Sequence, residues 1–394
     1  MDYWLILYII DGILFGLVAV TVLYLSIFTI AGLFSRHPNI PKARRQNRFV
    51  VLIPSYHGCK GTIETVMAVL SQSYPQRLFD VTVISDHEDE MTNFRLAQYP
   101  ITLLTPNFEN SSKARSLQFA INNLPQFKIY DVVVVLDAGT IVDQEFLHEI
   151  NDAYEVSGTK AIQAHRLSKN RDTAIAHMDA VFEEINNTIF RRGHITVGLS
   201  SALSDSGHAM SFSWFKENIF KIKSKEYTKD LEALLLRQHI FVDFFDDILV
   251  YDEKTRESKD FNDQRAQWTM SQYQTLLKNI RFLPMALFNR YYGWIDKIIQ
   301  WALLPRTIMM AIIVFMSIIM PLIYFTLAIK WWAIFAIIMF VFALATPDYL
   351  VDKNWNKAFA KAPSILFSSL FSPIRFFQGS KKQGTKSKNI TKKT

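Results

Sequence analysis

A single cysteine, Cys59, stands in 394 residues. No intramolecular disulfide can therefore form, and a cysteine-based zinc site is excluded, which agrees with a working domain in the cytoplasm. No Gly-x-Gly-x-x-Gly follows the first expected strand, where "IPSYHGCKG" stands, and no Walker phosphate loop occurs, so neither a dinucleotide fold nor a P-loop is indicated. Charge is also missing from long stretches. Gly12 to Phe34 is 23 residues without a charged side chain, enough for a helix to cross a bilayer. The chain begins Met-Asp-Tyr-Trp with no basic segment before this run, which reads as a retained anchor rather than a cleaved signal. Thr307 to Ile329 is equally free of charge, and after Lys330 a third run, Trp331 to Thr346, is 16 residues long. It crosses if Lys330 reaches the interface, or forms a re-entrant hairpin with the second run.

What charge there is lies unevenly. The net charge is +7, yet residues 36–48 carry five Lys/Arg and no acid, and the tail from Lys381 carries six and no acid. The remainder is slightly acidic, so a nucleic-acid partner is not indicated. Both basic stretches flank apolar runs and fall on the cytoplasmic side by the positive-inside rule, with contact to anionic lipid. The expected organisation is an anchor over 1–35, a basic linker over 36–47, an α/β domain over 48–280 and an interfacial helix over 281–306. Two membrane segments follow over 307–346, then an interfacial amphipathic segment over 347–380 and a basic disordered tail over 381–394.

Within 48–280 short apolar, β-branched runs alternate with runs of helical spacing: "RFVVLIPSY", "GTIETVMAVLSQSYP", "FDVTVISD", "ITLLT", "ARSLQFAINNL" and "DVVVVLD". Such alternation predicts an α/β fold, a mostly parallel sheet flanked by helices, with ligands at the carboxyl ends of its strands. Pro54, Ser55, Tyr56, Asp86 and Asp137 stand at those ends. "LDAGT" keeps the Thr but not the second Asp of a haloacid-dehalogenase-type phosphatase, and it follows a complete strand and helix series instead of opening one, which sets that reading aside.

Nine segments in order resemble the membrane-bound family-2 glycosyltransferases of the GT-A fold, the cellulose-synthase-like and polysaccharide-forming group: "VLIPSYHG", "VISDHEDE", "SSKARSLQFAI", "VVVVLDAGTIVDQEFL", "AIQAHRLSKN", "SDSGHAMSF", "YTKDLEALL", "DFNDQRAQW" and "IDKIIQWALLPR". The resemblance spans roughly residues 48–306. It implies inverting transfer from a nucleotide-diphosphate sugar, with uridine diphosphate expected, to a lipid-linked or growing glycan acceptor at the cytoplasmic face. Asp230 then stands at the catalytic base. Pro54, Ser55, Tyr56, Asp86, Lys113 and Asp137 fall in the nucleotide site, with Arg115 beside the phosphates. Asp137 also falls on the first ligand of a Mg²⁺ or Mn²⁺ ion, and Gln264 and Trp268 on the acceptor side.

Three positions depart from the family pattern: Gly139 replaces the second metal carboxylate, Lys229 the Glu before the base, and Gln267 the Arg of Gln-x-x-Arg-Trp. A weakly held ion follows, since one carboxylate and the donor phosphates would share it. Arg265 is the neighbouring candidate for the lost guanidinium. The alternative reading is a catalytically degenerate glycosyltransferase-like subunit that scaffolds a polysaccharide-synthesis complex with partner proteins. His208, in "GHAM", is the histidine nearest the expected acceptor pocket.

Overall fold

The computed structural model describes residues 3–35, 40–56, 61–224, 227–353 and most of 355–363. His57, Cys59 and the tail from 364 lie outside the described residues, as does most of the expected amphipathic segment. The chain divides into two compact units, one comprising residues 31–170 and 190–253, the other residues 1–30, 171–189 and 254–394.

The first unit is built on eight strands: β1 Phe49–Tyr56, β2 Phe79–Asp86, β3 Thr102–Leu104, β4 Val132–Val135, β5 Ile141–Val142, β6 Ala161–Ser168, β7 His208–Ser211 and β8 Val242–Asp252. They form one sheet in the order β3-β2-β1-β4-β7-β6-β8-β5. The pairings of β1 with β2 and β4, of β2 with β3 and of β6 with β8 are parallel, while β7 runs antiparallel to both neighbours and β5 antiparallel to β8. The sheet is a mixed α/β one, as the alternation of the sequence requires.

Its centre explains the unbroken apolar runs. On β1, Phe49, Val51 and Ile53 enter one core cluster while Val50 and Leu52 enter the other; on β4, Val132 and Val134 divide in the same way from Val133 and Val135. Successive side chains point to opposite faces of a strand, and both faces here are covered. Each fully buried valine contributes about 1.5–3 kcal/mol relative to exposure. Tyr56 pairs in register with Asp86, and Leu52 with Val135. The carboxyl ends of β1 and β2 therefore finish abreast, β4 ends level with Leu52 and points the same way, and together they carry the singled-out residues to one edge.

Among the described residues, chiefly those of the second unit, three helices are long and apolar enough to cross a membrane: Trp4–Leu33, Arg306–Ile323 and Phe325–Ala345. The boundary between the last two corrects the expected break at Lys330. It falls at Tyr324, extended with φ −154° just after Pro321, and Lys330 lies inside the third helix. Hydropathy read a charge as an end, whereas Lys330 is neutralised by an ion pair with Asp11 on the first helix. Asp11 also accepts a 2.8 Å hydrogen bond from Trp331 Nε1, and the Lys330 ammonium lies 4.8 Å from the Phe15 ring centroid. Where the interfacial helix was expected, Leu283–Phe288 and Tyr292–Ala302 are helical. The second of these is tied by Asp296, which accepts from Tyr24 Oη at 2.6 Å and from Gln300 Nε2 at 2.8 Å.

Candidate donor and catalytic site

At the end of β2, Asp86 is buried with 1% of its surface exposed. Its Oδ1 lies 2.6 Å from Nδ1 of His87, whose backbone is held left-handed at φ 60°, and 3.5 Å from the Phe108 amide. Its Oδ2 is buried and has no hydrogen-bond partner among the described residues. A buried acceptor without a donor costs roughly 1–3 kcal/mol, so this oxygen is poised for an N–H brought by a ligand. Beside it, Tyr56 is 55% exposed. Ser55 is enclosed: its hydroxyl donates to Glu88 Oε1 at 2.6 Å and lies 2.8 Å from Thr62 Oγ1. The Ser55 side chain is therefore spent within the protein.

At the end of β4 the chain turns sharply. The Thr140 amide returns to the Asp137 carbonyl at 3.0 Å, and Gly139 takes φ +92°, a conformation that a side chain strains. The Gly139 amide donates to Thr65 Oγ1 at 2.9 Å. A Cβ on Gly61, which opens the helix Thr62–Leu70, would lie 2.8 Å from the Gly139 Cα. Position 139 is therefore a crossing of two backbones. A carboxylate at 139 would need a backbone conformation that side chains rarely adopt.

Asp137 is met by Lys113, the first residue of the helix Lys113–Asn123, whose start is capped by Ser112 Oγ accepting from the Arg115 amide at 3.3 Å. The Lys113 ammonium donates to Asp137 Oδ1 and to the backbone carbonyl of Asp205, and it lies 5.5 Å from the Tyr227 ring centroid. Arg115, expected beside the phosphates, donates to the Asn110 carbonyl at 2.9 Å. The surrounding protein pushes the Asp137 carboxyl above the ordinary range by desolvation, against which Lys113 pulls it down. At Asp205 desolvation raises the pKa but is outweighed by Lys113, Arg166 and the Thr228 hydroxyl, and the carboxyl titrates below its usual range.

The loop that carries Asp205 is clamped from β6. Buried Gln163 accepts from the Ser204 amide at 2.8 Å and donates to the Ser206 carbonyl at 3.1 Å. Ser206 Oγ in turn accepts from the Asp137 amide at 3.0 Å. Asp205 accepts from the Thr228 hydroxyl, which fixes the first turn of the helix Tyr227–Arg237 where Asp230 stands. Asp230 Oδ2 accepts from Ser224 Oγ at 2.5 Å. His208 is buried beneath: its Nδ1 is 3.1 Å from the Ser204 carbonyl and its Nε2 3.0 Å from Tyr227 Oη. A carbonyl only accepts, so Nδ1 carries the proton and Nε2 accepts from the phenol. Burial, then Lys113, pushes this imidazole down to about 3. His208 is thus a neutral positioning residue.

Gln264 and Trp268 lie on the helix Ser258–Asn279 in the second unit. Both are exposed, Trp268 by 49%. Arg265 does not replace the missing guanidinium. It pairs with Asp179 at 2.6 Å and lies 4.9 Å from the ring centroids of both Phe182 and Phe261.

The set of residues around Asp137 does not make a protein-held metal centre. Among the described residues no three His, Cys, Asp or Glu side chains come together as ligands, and the one carboxylate at the strand end is already paired. Asp205, Gln163, Arg166 and Tyr227 were not singled out in the sequence. They converge from separate loops and strands, and the matched segments "AIQAHRLSKN", "SDSGHAMSF" and "YTKDLEALL" contained all four without marking any of them as a site residue.

A sheet of this topology, with acids at adjoining strand ends and a lysine at the start of a neighbouring helix, is that of a GT-A glycosyltransferase. The sequence profile described as glycosyltransferase like family 2 matches residues 46–213, and that described as glycosyl transferase family group 2 matches residues 132–346. The second match covers more than half of the chain, which belongs to glycosyl transferase family group 2. Among solved structures, the mannosyltransferase PcManGT from Pyrobaculum calidifontis, in complex with GDP-Man and Mn²⁺, superposes with a TM-score of 0.56 at 13% identity, over 93% of this chain and 99% of that one. TarS 1–349 from S. aureus, in complex with UDP, gives 0.37 at 12% identity over 57% and 65% of the two chains. The first likeness shows the fold. No curated protein matches the sequence significantly.

Proposed function

We infer that this glycosyltransferase is an inverting enzyme that moves a sugar from a nucleotide diphosphate to a lipid-linked or growing glycan acceptor, with its sheet unit on the cytoplasmic side of the membrane. The observation that carries the reading is Asp86, buried at the end of β2 with an oxygen that lacks a donor, beside the exposed Tyr56. A nucleobase supplies both the ring and the N–H such a place calls for. Uridine is the expected base. Guanosine competes with it, because PcManGT binds GDP-Man.

Asp230 is the proposed base. It stands in the first turn of its helix, and that turn is joined through Thr228 to Asp205, whose carbonyl accepts from Lys113. Asp230 takes the proton of the acceptor hydroxyl as that oxygen attacks the anomeric carbon, and the nucleoside diphosphate leaves. Gln264 and Trp268 are the proposed acceptor contacts, the indole offering a face to a sugar ring. PcManGT carries Mn²⁺ with its donor, and Mg²⁺ or Mn²⁺ here would add electrophilic help to the departing phosphates. Asp137 is the carboxylate proposed to meet it, and without a second one at 139 such an ion would rest mainly on the phosphates and be weakly held.

The test is turnover of UDP- and GDP-sugars by the purified full chain, beside Asp230→Asn. The substitution removes the base and is expected to lower transfer about 10²–10⁴-fold. Equal rates in the two proteins would overturn the assignment of the base. The second reading, a scaffolding subunit without activity, is favoured by one observation, the commitment of Gly139 to a backbone crossing. Nucleotide binding without turnover of any donor would establish it.

A further inference from the structure

Three features of the β4 end belong together. The position that should offer the second metal ligand is glycine, held at φ +92° with the Gly61 backbone against it. The first ligand position, Asp137, is occupied by an ammonium. That ammonium is seated on several sides: by the Asp137 carboxylate, the Asp205 carbonyl and the face of Tyr227. An ammonium has three N–H donors and no acceptor, so carboxylate, carbonyl and π face account for its bonding directions. Its root is rigid, since Lys113 opens a helix whose Ala114, Leu117, Ala120 and Ile121 are buried in the core. Its seat is rigid as well, because Gln163 clamps the Asp205 loop and His208 fixes the Tyr227 phenol.

We propose that Lys113 is the resident cation of this site, standing where a divalent ion would stand, and that a nucleoside diphosphate binds by drawing the ammonium from the Asp205 carbonyl onto its phosphates. This rests on the nucleotide-sugar reading above and deepens it. Lys113 keeps Asp137 neutralised while the site is empty, and on binding it exchanges one oxygen acceptor for another with Asp137 still beside it. The exchange requires no ion from solution. Diphosphate binding is therefore independent of divalent metal in this chain, and the glycine at 139 costs it nothing.

The experiment is calorimetric titration of the full chain in detergent with UDP and with GDP, in excess EDTA and again with Mg²⁺ or Mn²⁺. For the nucleotide that binds, the dissociation constants in chelator and in metal are expected to agree within about threefold, against the tenfold that corresponds to about 1.4 kcal/mol. In EDTA, Lys113→Met is expected to weaken binding at least tenfold, and Lys113→Arg, which keeps the charge, to weaken it less. Thermal melting of each variant shows that it is folded; if Lys113→Met does not fold, the chelator comparison on the wild type and the Arg variant decides. Affinity that rises more than tenfold with metal overturns the inference and leaves the nucleotide-sugar reading standing. Absence of binding by either nucleotide in every buffer overturns both.

Discussion

Lys113 meets Asp137 at the solvent-reached edge of the sheet, and Lys330 meets Asp11 between two helices long enough to cross a membrane. The groups are the same and their surroundings are opposite. Asp137 keeps 30% of its side chain exposed and Asp11 keeps 1%. Water reaches the first pair, and an entering phosphate takes the place of the Asp205 carbonyl beside it, so the pair contributes only about 0–1 kcal/mol to stability. The buried Asp11 carboxylate has no such replacement at hand. Each Asp11 oxygen is used, one by the Lys330 ammonium and one by the Trp331 indole at 2.8 Å. One ammonium is placed to change one of its acceptors and the other to stay.

The largest effect should come from breaking the pair that stays. Asp11→Ala strands an ammonium among apolar helices, and removing one partner of a buried pair costs about 3–5 kcal/mol. The melting temperature of the detergent-solubilised chain should fall sharply. Replacing both partners, Asp11→Ala with Lys330→Met, should recover most of the loss. The corresponding cut at the sheet edge, Asp137→Asn, should move stability by no more than about 1 kcal/mol. An Asp11→Ala protein that melts like the wild type would show that the two pairs do not differ as described.

The comparison also marks how far the sequence could be read. Strand ends were legible because "VVVV" and "FVVLI" are buried on both faces, and a run of that kind has one stable place, the middle of a covered sheet. Strand β7 was not: "HAMS" pairs with β4 and β6 yet sits at the end of a Gly/Ser-rich stretch that reads as loop. Lys330 looked like the end of a span because hydropathy has no means of pairing it with a residue 319 positions away. At the site, Asp86, Asp137 and Lys113 stood out by position in matched segments. Gln163 and the Asp205 carbonyl did not, because a hydrogen bond between residues 41 apart, or a backbone acceptor, leaves no trace in residue type. Arg265 was found on a helix as expected, but its partner Asp179 lies 86 residues away.

Restoring the missing carboxylate sharpens the contrast from the exchangeable side. Gly139→Asp would put a side chain at φ +92°, a backbone region that costs about 1–3 kcal/mol for a non-glycine residue. The variant should unfold at lower denaturant by that amount, and Mn²⁺ titration should find no tighter site than in the wild type, since the turn is committed to Gly61 and Thr65. A variant as stable as the wild type that binds Mn²⁺ more tightly would mean that position 139 is open to a ligand after all.

The last test is of what holds Lys113 in its seat. His208 is fully buried and pushed down to about 3, while an unfolded histidine titrates near 6.5. Between those values the unfolded chain binds the additional proton, so the contribution of His208 is complete above pH 6.5 and is lost as pH falls toward 3. Each pH unit in that window costs about 1.4 kcal/mol, so the wild type should lose about 2 kcal/mol from this group between pH 7 and pH 5. Asp137 contributes with the opposite sign, because its raised carboxyl is protonated first in the folded state. The difference between wild type and His208→Gln isolates the imidazole: glutamine can still face Tyr227 and Ser204 but takes up no proton. Urea midpoints measured at pH 5, 6 and 7 should converge for the two proteins as pH falls. Parallel curves would show that the imidazole is not held neutral, and with it the fixed phenol beneath the Lys113 ammonium would be lost as an explanation of that seat.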